Sequence, residues 1–252
     1  MSIQIKDKVA LVTGGNRGIG KAIVEEFLAE GARKVYLAVR DVESTNALVA
    51  QYGDRVAPVR IDVADGATVK AAAEIANDVN IVVNNAGILE VATGLDENAE
   101  DAFIKEANIN VLGLLRVAQA FVPVIEKNGS ANDTRGALVQ LNSVASIKNF
   151  SAFTTYSASK AASYSITQGL KEELAPRGID VVSVHPGPIA TDMADNAGMG
   201  DIGEPPAVVA KAIVAGLENG SFHVFPDSMA KDFEAGYASY ATSVIEQVVT
   251  EA

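Results

Sequence analysis

The sequence predicts a doubly wound α/β fold, in which one parallel sheet is covered by helices on both faces. Short apolar runs rich in β-branched residues alternate with longer segments of helical periodicity. Two of the runs, 81–83 and 181–184, are nearly continuously apolar, as parallel strands are when both faces of the sheet are covered. No repeat or Pro-rich linker divides the chain, so we expect a single domain over residues 1–252.

The connections between the predicted strands are mostly long enough for crossover helices. Asp41 and Asp65 stand where a capping residue would begin a helix. Two long helices are expected at 98–126 and 152–177, and the most loop-like stretches are 127–135 and 190–206. The seven predicted strands are 9–13, 34–39, 56–63, 81–84, 137–143, 179–185 and 222–225.

Composition excludes several classes of function. The sequence contains no Cys, which rules out disulfides, thiol nucleophiles and Cys-ligated zinc. His185 and His223 are the only histidines, so we expect no metal site and no zinc-dependent alcohol dehydrogenase. A formal net charge of −12 opposes binding to nucleic acid or to an anionic membrane surface.

The first eight residues carry charges where a secretory signal would be apolar, and no uninterrupted apolar run approaches membrane-spanning length. We therefore expect a cytoplasmic protein.

A glycine-rich turn follows the first predicted strand. Gly14, Gly18 and Gly20 are spaced G-x-x-x-G-x-G between that strand and a helical pattern that starts at Lys21. Glycines allow the backbone to turn sharply and to approach a pyrophosphate, whose oxygens accept hydrogen bonds from free N–H groups at a helix start. The turn is therefore a candidate dinucleotide-binding site.

Tyr156 and Lys160 are four residues apart and share one face of a predicted helix. An ammonium beside a phenol favours the phenolate, so we expect the pKa of Tyr156 to fall from its ordinary value near 10. Tyr156 is thus a candidate general acid or base. Ser143 lies thirteen residues upstream, at the end of an apolar run.

These landmarks, taken in order, resemble the short-chain dehydrogenase/reductase family over nearly the whole chain. The resemblance implies a single-domain Rossmann fold with a seven-stranded parallel sheet, and hydride transfer between a nicotinamide cofactor and a carbonyl or carbinol carbon. The matching residues are Thr13 to Gly20, Asp62 with Val63, Asn84 to Gly87, Asn110, Ser143, Tyr156 with Lys160, and Pro186 with Gly187 and Thr191.

The resemblance also implies catalytic roles. Tyr156 would exchange a proton with the substrate oxygen, and Ser143 would hydrogen-bond the same oxygen. Lys160 would bind the ribose of the nicotinamide half and lower the Tyr156 pKa. Asn110 would help connect Lys160 to solvent. His185, at the end of a strand, is interpreted as a space-filling residue, because the family leaves proton transfer to tyrosine.

The resemblance further implies a cofactor site, and its residues favour NADP(H). Val39 occupies the place where NAD-preferring relatives carry a ribose-binding carboxylate, while Arg40 and Arg17 suit a 2′-phosphate. The expected cofactor-binding residues are Gly14, Asn16, Arg17, Gly18, Ile19, Gly20, Arg40, Asp62, Val63, Asn85, Ala86, Gly87, Pro186, Gly187, Ile189 and Thr191, with Tyr156 and Lys160.

The residues expected around the substrate are nearly all apolar, which favours a hydrophobic ketone or aldehyde over a sugar. A substrate loop is expected at about 188–206, where Gly198, Gly200 and Gly203 favour a mobile lid. The expected pocket residues are Ile88, Leu89, Val144, Ala145, Phe150, Phe153, Met193 and Met199.

Two other functions stay open. A 3-oxoacyl thioester reductase would need a basic surface near the site, which the acidic composition supports little. A non-catalytic dinucleotide-binding sensor would have no chemical reason to keep Ser143, Tyr156 and Lys160 together. The family's helix pairing across a two-fold axis, with the small residues along 152–177, implies a homodimer or homotetramer.

Overall fold

The described strands form one parallel sheet. The computed structural model describes residues 3–131 and 135–246. The strands are β1 (Val9–Thr13), β2 (Lys34–Val39), β3 (Val56–Arg60), β4 (Ile81–Asn84), β5 (Gly136–Leu141), β6 (Ile179–Val184) and β7 (His223–Val224). Their order across the sheet is β3-β2-β1-β4-β5-β6-β7. Between β1 and β4 the order of strand addition reverses, and open α/β sheets bind ligands at the carboxyl ends of strands at such a point.

The helices follow the strands as crossover connections. A π-helical turn, Ala107–Val111, separates two of the helices and contains Asn110. The α-helices are α1 (Gly18–Ala29), α2 (Asn46–Tyr52), α3 (Gly66–Ile75), α4 (Ala99–Glu106), α5 (Leu112–Ala131), α6 (Thr154–Leu174), α7 (Asp192–Asn196), α8 (Pro206–Asn219) and α9 (Ser228–Tyr240).

The sheet separates two hydrophobic cores. Ala10 and Val12 of β1 face the core that contains α1 and α8, whereas Val9 and Leu11 face the core that contains α3, α5 and α6. All four side chains are buried, as expected for a strand covered on both faces. The predicted doubly wound α/β fold is therefore confirmed.

Several predicted boundaries were wrong. β3 ends at Arg60 rather than residue 63, because the chain turns at Asp62, whose Oδ1 accepts the N–H of Ala64 at 2.9 Å. β5 and β6 end before residues 143 and 185, and β7 is shorter at both ends. Asp41 and Asp65 cap helical segments as predicted, by accepting the N–H groups of Glu43 and Ala67.

Both predicted loops contain helix. The stretch 127–131 continues α5, and residues 132–134 lie outside the described residues. The segment 190–206 contains α7, whose N-cap Thr191 accepts the N–H of Ala194, and a parallel bridge joins Ile189 to Glu204. Capping and bridging groups thus order a segment that the sequence predicted as loop.

One described helical stretch, 99–129, is long and apolar enough to cross a membrane by length and composition alone. Val117, Phe121 and Ile125 of this stretch are fully buried in the core beneath the sheet. Packing against the sheet therefore accounts for the apolar residues on this face of the stretch.

A chain of buried polar side chains crosses the sheet near the carboxyl ends of its strands. Thr13 Oγ1 donates to Asn84 Oδ1 at 3.3 Å, and Asn84 Nδ2 donates to Gln140 Oε1 at 2.7 Å. Gln140 Nε2 donates to Ser163 Oγ at 3.2 Å, and Ser163 Oγ donates to Asn142 Oδ1 at 2.9 Å. This polar chain joins β1, β4 and β5 to α6 at the edge where the motifs converge.

Gly136 at the start of β5 is a position where packing excludes a side chain. A Cβ placed there would lie 2.1 Å from Ile125 Cγ2 and 2.7 Å from Asn80 O. We expect Gly136→Ala to lower the free energy of unfolding by about 1–3 kcal/mol, through overpacking, in urea denaturation.

Gly236→Ala is the matched control. Gly236 lies on an exposed face of α9 with no atom within 4 Å of the added Cβ. Its replacement should raise the free energy of unfolding by about 0.5–1 kcal/mol. A Gly136→Ala protein as stable as the unmodified one would contradict the packing argument.

Candidate functional site

The glycine-rich turn between β1 and α1 leaves no room for larger residues. Gly14 and Gly18 have φ angles of +67° and +52°, which L side chains rarely adopt. At Gly20 a Cβ would lie 2.1 Å from Gly14 O and 2.7 Å from Asn85 Nδ2. Such a close approach of backbone to helix suits a bound pyrophosphate, so the turn fits a dinucleotide.

Thr13 and Asn85 fasten this turn to the loop that follows β4. Thr13 Oγ1 accepts the N–H groups of Asn85 and Ala86, both at 2.9 Å. Asn85 Nδ2 donates to Thr13 O at 2.8 Å. The two loops on either side of the sheet's reversal point are therefore held as one surface.

Asn110 holds the next part of the same loop. Its Oδ1 accepts the N–H of Ile88, and its Nδ2 donates to Ile88 O, both at 2.9 Å. Nδ2 also donates to Ser159 Oγ at 2.9 Å. The π-helical turn aims the Asn110 amide at this loop, and Gly87 leaves space beside it, since a Cβ there would lie 3.1 Å from Asn110 Oδ1.

The proposed acid-base residues lie together. Lys160 Nζ is 5.8 Å from the centroid of the Tyr156 ring, and it donates to Leu141 O at 2.7 Å. Burial lowers the pKa of Lys160 to about 8. Ser143, which caps a short 3₁₀ turn by accepting the N–H of Ala145, sits close enough to Tyr156 for its hydroxyl to lower the phenol pKa.

The expectation of a lowered Tyr156 pKa was wrong for this structure. Burial raises the pKa of Tyr156 to about 12, Ser143 opposes the rise, and the charge of Glu106 adds to it. Loss of hydration penalises the phenolate more than nearby groups compensate. The Lys160 ammonium, 5.8 Å from the ring centroid, does not outweigh this effect of burial.

His185 is fully buried at the end of β6. Its Nε2 lies 2.7 Å from Ser183 Oγ and its Nδ1 lies 2.9 Å from Ser146 Oγ. Burial, together with the neighbouring His223, lowers the pKa of His185 to about 3. A neutral, enclosed imidazole fills space and satisfies hydroxyls, as the sequence interpretation held.

The residues expected at the adenosine end frame the cleft at β2 and β3. Val39 is buried and Arg40 is exposed. Asn16 Nδ2 donates to Ser44 Oγ at 3.1 Å, a contact that brings the first helical segment after β2 to the glycine turn. Ser44 was not among the predicted site residues, because a hydroxyl in a short polar segment carries no distinctive signal.

Arg17 forms an ion pair that the sequence did not reveal. Its Nη1 lies 2.6 Å from Asp192 Oδ2, at the start of α7, and both side chains are about two thirds exposed. The two residues are 175 apart in the chain. The pair links the glycine turn to the expected substrate loop, although such exposed pairs contribute little to stability.

Asp62 and Val63 follow β3 at the expected adenine position. The N–H of Asp62 donates to Thr68 Oγ1 at 3.0 Å. Val63 O accepts a hydrogen bond from Arg116 at 3.0 Å, and the same guanidinium binds Asn108 in the π-helical turn. Arg116 therefore connects the segment after β3 to the element that carries Asn110.

The turn after β6 is braced from α9. The N–H of Gly187 donates to Asp227 Oδ2 at 2.7 Å, and a Cβ at Gly187 would lie 2.6 Å from Asp227 Oδ1. Thr191 donates to Ile189 O at 3.1 Å. Gly200 and Gly203 are likewise tightly enclosed: an added Cβ would lie 2.0 Å from Asp195 Oδ1 at Gly200 and 2.5 Å from Ala190 N at Gly203. Of the three glycines in this loop, only Gly198 has a positive φ angle, at +71°.

One cleft of about 700 Å³ contains nearly all of the predicted site residues. Gly20 and Asn110 do not line it; they act behind its wall. All eight predicted substrate-pocket residues line the cleft. Residues that the sequence analysis missed include Ile109, Asp192, Ile202 and Met229. Met229 follows the capping residue Asp227, and that helix-start signal was available in the sequence.

A family model described as short chain dehydrogenase matches residues 8–201. The chain belongs to this family. It is 33% identical over 199 residues to a 3-alpha-(or 20-beta)-hydroxysteroid dehydrogenase of Mycobacterium bovis, covering 77% of this chain and 74% of the relative.

Solved structures of the same family are similar to this chain in fold. A short chain dehydrogenase from Burkholderia cenocepacia in complex with NADP matches with a TM-score of 0.85 and 33% identity, covering 99% of this chain and 100% of that one. A 3-ketoacyl-(acyl-carrier-protein) reductase from Brucella melitensis complexed with NADH matches with a TM-score of 0.75 and 29% identity, covering 85% of this chain and 91% of that one. The protein is therefore an oxidoreductase of a family that binds nicotinamide dinucleotides.

The state of His185 can be measured directly, because the chain has only two histidines. We expect its ring resonances in proton–nitrogen NMR to keep neutral-imidazole shifts from pH 8 down to pH 5, since burial lowers the pKa to about 3. The His185→Gln variant assigns the signal. A titration centred near the ordinary value of about 6.5 would contradict the buried, neutral assignment.

Proposed function

We propose that this family member is an NADPH-dependent reductase of hydrophobic ketones and aldehydes, acting reversibly on secondary alcohols. The observation that carries the proposal is the convergence of Ser143, Tyr156 and Lys160 on a cleft whose remaining wall is largely apolar. The glycine turn at the other end of the same cleft fits the pyrophosphate of the cofactor.

In this reaction Tyr156 and Ser143 have separate roles. When bound, the nicotinamide supplies the hydride or accepts it. Tyr156 gives its proton to the carbonyl oxygen, which becomes more basic as negative charge develops, and Ser143 donates a hydrogen bond to that oxygen. A phenol whose pKa lies well above neutrality is protonated before reduction, which suits the role of acid.

Lys160 and Asn110 support this exchange. Lys160 binds the ribose and holds a positive charge near Tyr156, which favours phenolate after the proton has left. Asn110 fixes the backbone of Ile88 through two hydrogen bonds, so the wall of the cleft opposite Tyr156 keeps its shape. Pro186, Gly187, Ile189 and Thr191 form the turn that is proposed to flank the nicotinamide.

The choice of NADP(H) is supported by the adenosine end of the cleft. Arg17 and Arg40 both line it, and Val39 leaves no carboxylate at the end of β2. Forked, charge-assisted bonds from guanidinium to phosphate are strong. The similar Burkholderia structure holds NADP, whereas the Brucella structure holds NADH.

Removal of one guanidinium should reduce the preference for NADPH. We expect Arg40→Ala to lose about 1.5–3 kcal/mol of discrimination, because a charged hydrogen bond to the 2′-phosphate is lost. The measurement is kcat/KM for NADPH and NADH with one ketone. Arg60→Ala, an exposed arginine at the end of β3, is the control and should change neither value. Equal kcat/KM values for both cofactors in the unmodified protein would refute the preference.

The substrate class is supported by the lining of the cleft. Leu89, Phe150, Phe153, Met193 and Met199 offer apolar contacts and few partners for hydroxyls. Methionine side chains are flexible and polarisable, so they suit bulky groups of varied shape. The name of one relative, a hydroxysteroid dehydrogenase, indicates a steroid alcohol as its substrate.

Substrate class and mechanism are tested together with an aryl ketone and a polyhydroxylated sugar ketone of similar size. We expect the higher kcat/KM with the aryl ketone, because unpaired hydroxyls are costly in an apolar cleft. Tyr156→Phe should lose at least about 100-fold in kcat while it still binds NADPH in fluorescence titration. A preference for the sugar would overturn the pocket argument, and unchanged kcat in Tyr156→Phe would overturn the mechanism.

A second candidate is a 3-oxoacyl thioester reductase, which the Brucella relative favours. The net charge of −12 would repel an acidic carrier protein, so we rank this function second. A non-catalytic dinucleotide sensor is ranked third, because Ser143, Tyr156 and Lys160 all line the cleft. A panel of ketones, aldehydes and acyl thioesters with NADPH separates the three functions.

We also propose that residues 1–252 form a single cytoplasmic domain with a substrate loop at about 188–206. The one sheet that joins all seven described strands supports the single domain. Homodimer or homotetramer formation is supported by Phe103, Ile104 and Leu112, which are exposed apolar side chains on α4 and α5.

A further inference from the structure

Glu106, the last residue of α4, is a buried acid that the proposed mechanism does not use. Its side chain is 0% exposed. Oε1 accepts the N–H of Glu90 at 2.8 Å, whereas Oε2 is buried with no hydrogen-bond partner among the described residues. Burying a half-satisfied carboxylate is costly, so its presence calls for a functional explanation.

Glu106 stands where three segments of the active site meet. Immediately after it begins the π-helical turn that contains Asn110. Its partner Glu90 belongs to the loop after β4, two residues from Ile88, which Asn110 binds. On its other side is Thr155, next to Tyr156. Neither Thr155 Oγ1 nor Glu106 Oε2 has a hydrogen bond of good geometry in the described chain, although the hydroxyl is close enough to lower the Glu106 pKa.

The same loop is tied to α6 at a second point. The N–H of Thr154 donates to Ala92 O at 3.0 Å, and Lys105 forms an ion pair with Glu90. A displacement of the loop after β4 would therefore also displace the start of α6, where Tyr156 lies. The Glu106 side chain occupies the space between these two segments.

The charge of Glu106 acts on Tyr156. It raises the pKa of the phenol, in addition to the larger effect of burial. Burial also raises the pKa of Glu106 itself. The hydrogen bond from the Glu90 N–H opposes this rise, the negative charge of Glu90 adds to it by a smaller amount, and Lys105 opposes it. Ser143 and Lys160 also lie beside the phenol.

We propose that Glu106 is a positioning residue that acts on the active site through the Glu90 backbone and through its negative charge beside Tyr156. Its charge holds the proton on Tyr156 and so keeps the phenol protonated until the carbonyl oxygen takes the proton. Glu106 is not among the residues that line the cleft, so it touches neither substrate nor cofactor. The inference rests on the proposed function.

Two substitutions separate the charge from the hydrogen bond. Glu106→Gln keeps an acceptor for the Glu90 N–H and removes the charge. Well below the phenol pKa, alcohol oxidation follows the phenolate fraction, so the lower phenol pKa of this variant should raise the oxidative kcat/KM about threefold at pH 8–10. Because the equilibrium constant of the reaction is fixed, kcat/KM for reduction at the same pH should rise by a similar factor. A purely structural role would not accelerate oxidation.

Glu106→Leu removes the acceptor as well as the charge. The N–H of Glu90 is then unpaired, and KM for the ketone should rise about tenfold with a smaller change in kcat, because the wall of the cleft shifts. Glu100→Gln, an exposed acid in the first turn of α4, is the control and should match the unmodified enzyme. Glu106→Gln with the same oxidative rate as Glu100→Gln would overturn the inference.

A stability measurement needs no substrate. An acid whose folded-state pKa is raised favours the folded state at low pH and loses that contribution as the pH rises past its unfolded value of about 4.5. Glu106→Gln should therefore raise Tm by about 2–4 °C at pH 8 and by less at pH 5. If no alcohol or ketone reacts with the unmodified protein, the proposed function fails. A Tm difference that is equal at both pH values overturns the buried charge of Glu106 independently.

Discussion

The polar chain across the carboxyl edge of the sheet is the interaction on which the rest of the site depends. Apolar side chains decide that the strands stack into a sheet, but they do not decide the relative height at which the strands end. Thr13, Asn84, Gln140 and Ser163 make that decision, because each is buried and each finds its partner on the neighbouring element. Buried polar networks that are fully satisfied specify one arrangement.

The same polar chain positions the two parts of the cleft that carry Ser143 and Tyr156. Asn142, the residue between the network and Ser143, donates to Ser183 Oγ at 2.9 Å and so connects β5 to β6. Gln140 and Asn142 both contact Ser163 on α6, seven residues beyond Tyr156. Ser143 and Tyr156 are thus placed by bonds that neither residue makes itself.

The sequence predicted the elements better than their contacts. Alternating apolar runs predicted the doubly wound sheet correctly, and the ordered set of landmark residues supplied the resemblance to the family, because both are visible in local patterns. The ion pair of Arg17 with Asp192 joins residues 175 apart, so no local pattern could indicate it. Glu106 occurs among charged residues in the sequence, and a helix of mixed charge predicts an exposed acid rather than a buried one.

The pKa of Tyr156 is a second property that the sequence pattern could not predict. The spacing of Tyr156 and Lys160 correctly predicted that both lie on one helix, which the structure places near Ser143. Whether charge or burial dominates the pKa of Tyr156 depends on the residues packed around it. Tertiary packing removes water from the phenol, and this desolvation outweighs the neighbouring charges. Sequence spacing supplies the candidates for a site, whereas packing fixes their protonation.

The reversal of strand order between β1 and β4 has a consequence for how the chain is made. β1 is synthesised early, yet Thr13 finds its partner Asn85 only 72 residues later. Until β4 leaves the ribosome, one edge of β1 presents unpaired backbone groups and its apolar faces are only partly covered. The cleft is therefore the product of a late, non-local closure, and nascent chains that stall before β4 are the ones most exposed to aggregation and to chaperone binding.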